Sequence, residues 1–110
     1  MEPISIADAT GSGHDAGDPY TELLRRASLS VGVYRLPAGG SDPQDPHDED
    51  EVYHVVEGRA SIRIGDEVHP VEPGDVVFVE KHVEHRFVDV ETDLTVLVFF
   101  APAEGSSSGA

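Results

Sequence analysis

Short segments of alternating apolar and polar residues, separated by turn residues, run through most of the chain. Residues 28–36 place Leu29, Val31 and Val33 on one face, a pattern typical of a half-buried strand. Glycine, proline and aspartate occupy the turns between such segments. The further predicted strands are 52–57, 59–64, 67–71, 76–79, 85–90 and 94–100. At least seven short strands with little helix indicate an antiparallel β-sandwich or barrel.

The two ends of the chain lack this pattern. Residues 1–18 hold few apolar side chains and are expected to form a flexible arm or an edge strand, ahead of a single domain over 19–101. The pair Asp18-Pro19 can start a short helix, which is predicted over Tyr20–Arg26 with a strand as the alternative. Residues 102–110 are rich in serine and glycine and are expected to be a flexible tail.

The charge of the chain excludes two kinds of partner. Its 22 acidic and 7 basic residues give a formal net charge of −15. Such a chain repels nucleic acid and anionic membranes, so neither is expected as a partner. Two explanations remain open: adaptation to a cytoplasm of high salt concentration, and a solvated acidic surface without special meaning.

The absence of cysteine excludes disulfides, thiolate zinc sites, iron–sulfur clusters and cysteine nucleophiles. No apolar run approaches the ~20 residues that a membrane-spanning helix needs. No basic segment followed by an apolar core opens the chain, so a cytoplasmic location is expected.

The segment 45–53 carries the candidate chemistry. If its strand begins early, Asp45, His47, Glu49, Glu51 and Tyr53 share one face, because strand side chains alternate. Imidazole and carboxylate groups are ligands that first-row transition metals accept. This face is therefore a candidate metal site.

Two glycine-bounded blocks resemble the motifs of the cupin superfamily. The first runs from Gly39 to Gly58, with Asp45, His47 and Glu51 at the spacing of the cupin ligands and Asp45 replacing the first histidine. The second begins at Gly74 and matches again at His85, whereas Glu80, His82 and Asp89 replace the proline, glycine and asparagine of that motif. The resemblance covers about residues 28–100. It implies an all-β fold, the double-stranded β-helix or jelly-roll barrel of cupins, here with a short N-terminal arm.

The resemblance also implies a divalent metal, such as Fe, Mn, Zn or Ni, bound inside the barrel. Its ligands would be His47, Glu51 and His85, with Asp45 as the expected fourth. Aspartate at that position leaves a second possibility open, namely a cupin that has lost its metal. By contrast, His54 falls on the opposite strand face and is expected at the sheet surface or an interface, and His69, beside a proline in a hairpin, is expected to be structural.

A cupin with such a site implies a metal-dependent enzyme acting on a small organic molecule, either an oxygenase or an isomerase or lyase. The candidate catalytic residues are Glu49 and His82, which could move a proton, and Tyr53, which shares the face of Glu51. The alternative is a module that binds a small ligand or metal without turnover. Because small cupins commonly pair through edge strands, a homodimer is expected.

Overall fold

The computed structural model describes residues 2–6, 19–43 and 46–105. These residues form eight β-strands in two antiparallel sheets. The strands are β1 (Tyr20–Arg26), β2 (Leu29–Leu36), β3 (Asp50–Glu57), β4 (Ala60–Ile64), β5 (Glu67–Val71), β6 (Val76–Val79), β7 (His85–Val88) and β8 (Leu94–Ala101). The prediction of an all-β jelly-roll fold is confirmed.

The two sheets differ in size and enclose one core. The larger has five strands in the order β1-β2-β8-β3-β6, and the smaller has three in the order β5-β4-β7. Since side chains alternate along each strand, every strand presents one face to the space between the sheets. The core lies there and includes Tyr34, Tyr53, Val55, Val96, Val98 and Phe100 from the larger sheet and Ile62, Val71 and Phe87 from the smaller.

Strand β3 shows how the alternating pattern orients the candidate residues. Glu51, Tyr53 and Val55 are buried, whereas Val56 on the other face is exposed. The strand stops at Gly58, whose φ is 95°. A Cβ atom there would lie 2.2 Å from the Asp93 carbonyl oxygen, so only glycine fits this close approach.

The predicted helix over Tyr20–Arg26 is wrong, because this segment is strand β1, paired antiparallel with β2. The pairing shifts between Glu22 and Leu24, at a β-bulge. A bulge adds one residue and breaks the period-two alternation by which a strand is recognised. The alternative prediction of a strand is the correct one.

Several strand boundaries also differ from the sequence prediction by one or two residues. Strand β7 ends at Val88 rather than at residue 90, because Asp89 has a φ of 50° and turns the chain. Within the predicted tail, Ala103 is 1% exposed and the backbone of Glu104 is hydrogen-bonded to the barrel. The predicted arm falls mostly on residues 7–18, which lie outside the described part of the chain.

Among the described residues, no helix is long and apolar enough to span a bilayer.

Candidate metal centre

Three of the four predicted ligands converge inside the barrel. One potential ligand atom from each of His47, Glu51 and His85 lies within 4.8 Å of the other two. Glu51 comes from β3 in the larger sheet and His85 from the start of β7 in the smaller one, while His47 precedes β3. The cluster therefore bridges the two sheets. The fourth predicted ligand, Asp45, lies outside the described residues.

Backbone contacts hold the two ligand-bearing segments together. The backbone N–H of His82, three residues before His85, donates to the His47 carbonyl oxygen at 2.7 Å. Nearby, the backbone N–H of Lys81 donates to Asp50 Oδ1 at 3.0 Å. These bonds join the loop before β7 to the segment that carries His47, so the geometry of the cluster is built into the fold.

The hydrogen bond of His85 determines which ring nitrogen faces the cluster. His85 Nδ1 lies 2.9 Å from the Val83 carbonyl oxygen, which can only accept, so Nδ1 carries a hydrogen. The other nitrogen, Nε2, lies 3.0 Å from Glu51 Oε1. Neither Nε2 nor either Glu51 carboxylate oxygen has hydrogen-bond geometry with any described residue. In the neutral ring, two acceptors thus face each other, and a proton or a cation must separate them.

The pKa of His85 reflects this pairing. Burial alone lowers the pKa of the imidazole, but the Glu51 carboxylate and the Val83 carbonyl raise it, and the net shift is upward. Without a metal, a proton on Nε2 relieves the contact between the two acceptors. A divalent cation would relieve it as well, since imidazole and carboxylate are both good ligands for such ions. The residues present therefore fit a divalent metal.

A cavity of about 170 Å³ adjoins the cluster, with His47 and Glu51 in its wall. The rest of its surface is mostly apolar or aromatic and comes from Pro19, Tyr20, Tyr34, Pro43, Val98 and Phe100. An apolar cavity with a few polar groups at one end is the usual form of a small-molecule site. The arrangement gives a bound molecule direct access to two of the three candidate ligands, His47 and Glu51.

One wall of the cavity depends on a glycine in the neighbouring strand. The ring of Tyr20 occupies the space where Gly32 has no side chain, and a Cβ atom on Gly32 would lie 2.3 Å from that ring. The same ring meets the edge of Phe100 at a centroid distance of 6.3 Å. Strand β1, which the sequence analysis assigned to a helix, therefore contributes an aromatic wall.

The remaining wall residue is Glu104, which the sequence analysis placed in the tail. Its backbone N–H donates to Ser30 Oγ at 2.9 Å, and its carbonyl accepts from Arg25 Nη2 at 2.9 Å. Its carboxylate Oε2 lies 4.0 Å from His47 Nδ1. No local sequence signal marks this residue, because its anchors lie 74 and 79 residues away along the chain.

The environment of Glu104 is strongly acidic. Burial raises the pKa of its carboxyl group, His47 lowers it, and the carboxylates of Glu22, Glu49 and Glu51 raise it again, with a net upward shift. Burial and the charge of Glu104 also raise the pKa of the Tyr20 phenol, which keeps its proton and remains a hydrogen-bond donor.

A second buried acid, Asp42, was also missed by the sequence analysis. Its carboxylate accepts hydrogen bonds from the Tyr34 hydroxyl and from the Phe87 backbone N–H, the latter at 2.7 Å. It therefore connects the loop after β2 to both sheets, and it fixes the hydroxyl of a cavity residue. This role is structural.

The three predicted catalytic residues lie in different environments. Glu49 is 2% exposed and its carboxylate helps to raise the pKa of Glu104, but it does not line the cavity. Tyr53 is fully buried, and its ring packs against Phe87 at 4.9 Å and behind His85 at 6.0 Å between centroids.

The prediction for His82 is not supported by its position. Its side chain is 65% exposed and lies 3.2 Å from Asp48 Oδ1 on the surface. Its backbone N–H contacts the His47 carbonyl oxygen, and its φ of 67° turns the chain at this point. The side chain is therefore not placed to move a proton in the cavity. Two histidines were not expected to be ligands: His54 lies on the outer face of β3, and His69 is exposed beside Glu67.

Fold and site together define the class of protein. The sequence matches the family model of the cupin domain over residues 32–101, and the chain belongs to the cupin family. An uncharacterized protein of Streptomyces coelicolor is 49% identical over 85 residues, which are 77% of this chain and 81% of the relative.

Solved structures show the same fold. A protein with a double-stranded β-helix domain from Klebsiella pneumoniae superposes with a TM-score of 0.78 at 17% identity, covering 93% of this chain and 90% of its own. An RmlC-like cupin from Shewanella frigidimarina has a TM-score of 0.72 at 25% identity and covers 81% of each chain.

Proposed function

We propose that this cupin binds a divalent metal through His47, Glu51 and His85 and acts on a small organic molecule in the adjoining cavity. The observation that carries this proposal is the pair of buried acceptors, His85 Nε2 and Glu51 Oε1, only 3.0 Å apart and with His47 beside them. Removing such polar groups from water without a partner is costly, and a cation between them offsets that cost.

The metal would supply Lewis acidity at an oxygen of the bound molecule or, for iron, a binding position for oxygen. Three protein ligands leave such positions open, and the wall formed by His47 and Glu51 gives a molecule in the cavity access to them.

Among the reactions predicted, the geometry favours isomerase or lyase chemistry. The carboxylate of Glu104 lines the cavity 4.0 Å from the His47 ring, where it can accept or return a proton of a bound molecule. The buried Glu49 is a second candidate for the same role. An oxygenase remains the second proposal, because two histidines and one carboxylate are the ligand set of non-haem iron oxygenases.

Metal analysis of matched variants tests the site. His47→Ala should lose bound metal, whereas His54→Ala, four residues beyond Asp50 on the outer face of β3, should retain it. Equal metal content in the two variants would refute the proposed ligands. Oxygen uptake with Fe(II) and a panel of phenolic and carbonyl compounds then separates the reactions. Oxygen uptake supports the oxygenase, and proton exchange without oxygen uptake supports the isomerase or lyase. The absence of both oxygen uptake and proton exchange supports a binding module.

We also propose that the protein works as a cytoplasmic homodimer. Strand β6 is an edge of the larger sheet, and its outward side chains Val76 and Phe78 are 67% and 59% exposed. Edge strands with apolar side chains pair readily with another chain.

A further inference from the structure

The cavity beside the candidate metal centre has the size of a single small ring. An apolar protein cavity of about 150 Å³ is known to accommodate benzene. The cavity here has about 170 Å³ and three aromatic residues in its wall, Tyr20, Tyr34 and Phe100. A ligand with one ring, or an aliphatic molecule of similar size, fills this volume.

The charges around the cavity are negative. Glu51 and Glu104 both line it, and none of the described residues in its wall is lysine or arginine. The cation Arg25, which contacts the Glu104 carbonyl, has its Nη2 atom 2.8 Å from Glu22 Oε1, so a carboxylate already balances its charge. In the absence of metal, an anion entering the cavity meets two carboxylates, and the ring of His47, the wall side chain that can take up a proton, lies 4.0 Å from Glu104.

The carboxylate of Glu104 offers an acceptor to such a ligand. Bonds from Arg25 and to Ser30 hold its backbone beside the cavity, and the neighbouring Ala103 is buried. A carboxylate at this position favours a ligand with an N–H or O–H group, and it favours a protonated amine over a neutral donor. Aromatic walls add to the attraction for a cation.

We infer that the cavity selects a neutral or cationic molecule of single-ring size that donates a hydrogen bond to Glu104, and that it rejects anions of the same size. The inference deepens the proposed function, because it names the class of molecule that would reach the metal. Glu104 is the residue that determines this specificity.

Three probes of equal size and different charge test the inference: benzylamine, benzyl alcohol and benzoate. Their dissociation constants are measured by ligand-observed NMR on the full chain in the presence of EDTA, so that benzoate cannot bind through a metal. Benzylamine should bind at least 10-fold more tightly than benzoate, with benzyl alcohol between them. In Glu104→Gln the ratio should fall below 3-fold, whereas Glu91→Gln, an exposed change outside the cavity wall, should leave it unaltered.

A further variant tests where the probes bind. Val98→Phe places extra volume in the cavity and should weaken all three probes by at least 10-fold, while Val68→Phe on the exposed face of the smaller sheet should not. Equal affinity for the three probes, or an unchanged ratio in Glu104→Gln, would overturn the inference. Mn(II) binding by the unaltered chain is measured separately in the absence of EDTA. A chain that does not bind Mn(II) would overturn the proposed metal site. The order of the three probe affinities, measured with EDTA, would still stand as an independent result.

Discussion

The pair formed by Glu51 and His85 predicts that replacing Glu51 changes the free energy of unfolding in opposite directions at low and high pH. Both side chains are 1% exposed, and their nearest oxygen and nitrogen atoms are 3.0 Å apart. Below about pH 6.5, the ordinary pKa of histidine, the ring carries a proton in the folded and the unfolded chain, and the contact with Glu51 stabilises the fold. Because the folded pKa of His85 is raised, this stabilisation is lost as the pH rises through that folded pKa.

The change Glu51→Gln should therefore have opposite effects at the two ends of this range. At pH 6 in the absence of metal it removes a charged partner of His85 and should lower the free energy of unfolding by about 1.5–3 kcal/mol. At pH 9 it replaces an acceptor that faces another acceptor by an amide whose N–H can donate to Nε2. Relief of an unsatisfied buried group is worth about 1–3 kcal/mol, so the variant should be more stable than the wild type.

A bound metal should again make the wild type more stable than Glu51→Gln. A divalent ion present at 100 times its dissociation constant stabilises the wild type by about 2.7 kcal/mol. For a chain of this length, that corresponds to roughly 10 °C in melting temperature, at about 4 °C per kcal/mol. Glu51→Gln should lose most of this shift, because the amide oxygen is a much weaker ligand than a carboxylate.

The assay is thermal and urea unfolding at pH 6 and pH 9, with EDTA and with Mn(II). The matched control is Glu57→Gln, the same change at the exposed end of the same strand. If Glu51→Gln followed Glu57→Gln at both pH values and kept its stabilisation by Mn(II), both the proposed pairing and the proposed metal site would be wrong.

Two further predictions concern stability and assembly. Asp42→Ala should lower the free energy of unfolding, measured with urea, by about 2–4 kcal/mol, because it leaves the Tyr34 hydroxyl and the Phe87 N–H buried without this acceptor. The control Asp66→Ala, in an exposed turn, should change that free energy by no more than about 0.5 kcal/mol. A cost for Asp42→Ala no larger than that of the control would show that these bonds contribute little. Phe78→Lys on the edge strand β6 should convert a dimer to a monomer in light scattering. The control Val68→Lys, at a residue 52% exposed on the smaller sheet, should leave the dimer intact. A wild-type chain that already scatters as a monomer would contradict the proposed homodimer.

The sequence was most informative where the chemistry depends on local spacing. His47 and Glu51 are four residues apart, and with His85 they reproduce the spacing of a known motif, so the cluster could be predicted. Strand β1 could not, because the bulge between Glu22 and Leu24 breaks its alternation. Asp42 reaches Phe87 across 45 residues, and no periodicity within the chain marks such a contact.

Two of the missed residues, Tyr20 and Glu104, lie outside the family motif, whereas Asp42 lies within it. The match to the cupin domain covers residues 32–101, and it contains all three candidate ligands. Tyr20 and Glu104 lie outside that range, on opposite sides of it in sequence, yet both line the cavity. They meet there because Arg25 in β1 binds the Glu104 carbonyl and Ser30 in β2 binds its N–H. The bulge in β1 and the long-range contacts of Glu104 are separate reasons why the two segments were misjudged, but in the fold the two flanking segments hold each other in place against the barrel. The range of the motif supplies the ligands and most of the cavity wall, and the flanks add Pro19, Tyr20 and the carboxylate of Glu104. For this reason family membership predicts the metal site but leaves the substrate open, and the substrate is best sought through changes in Tyr20 and Glu104.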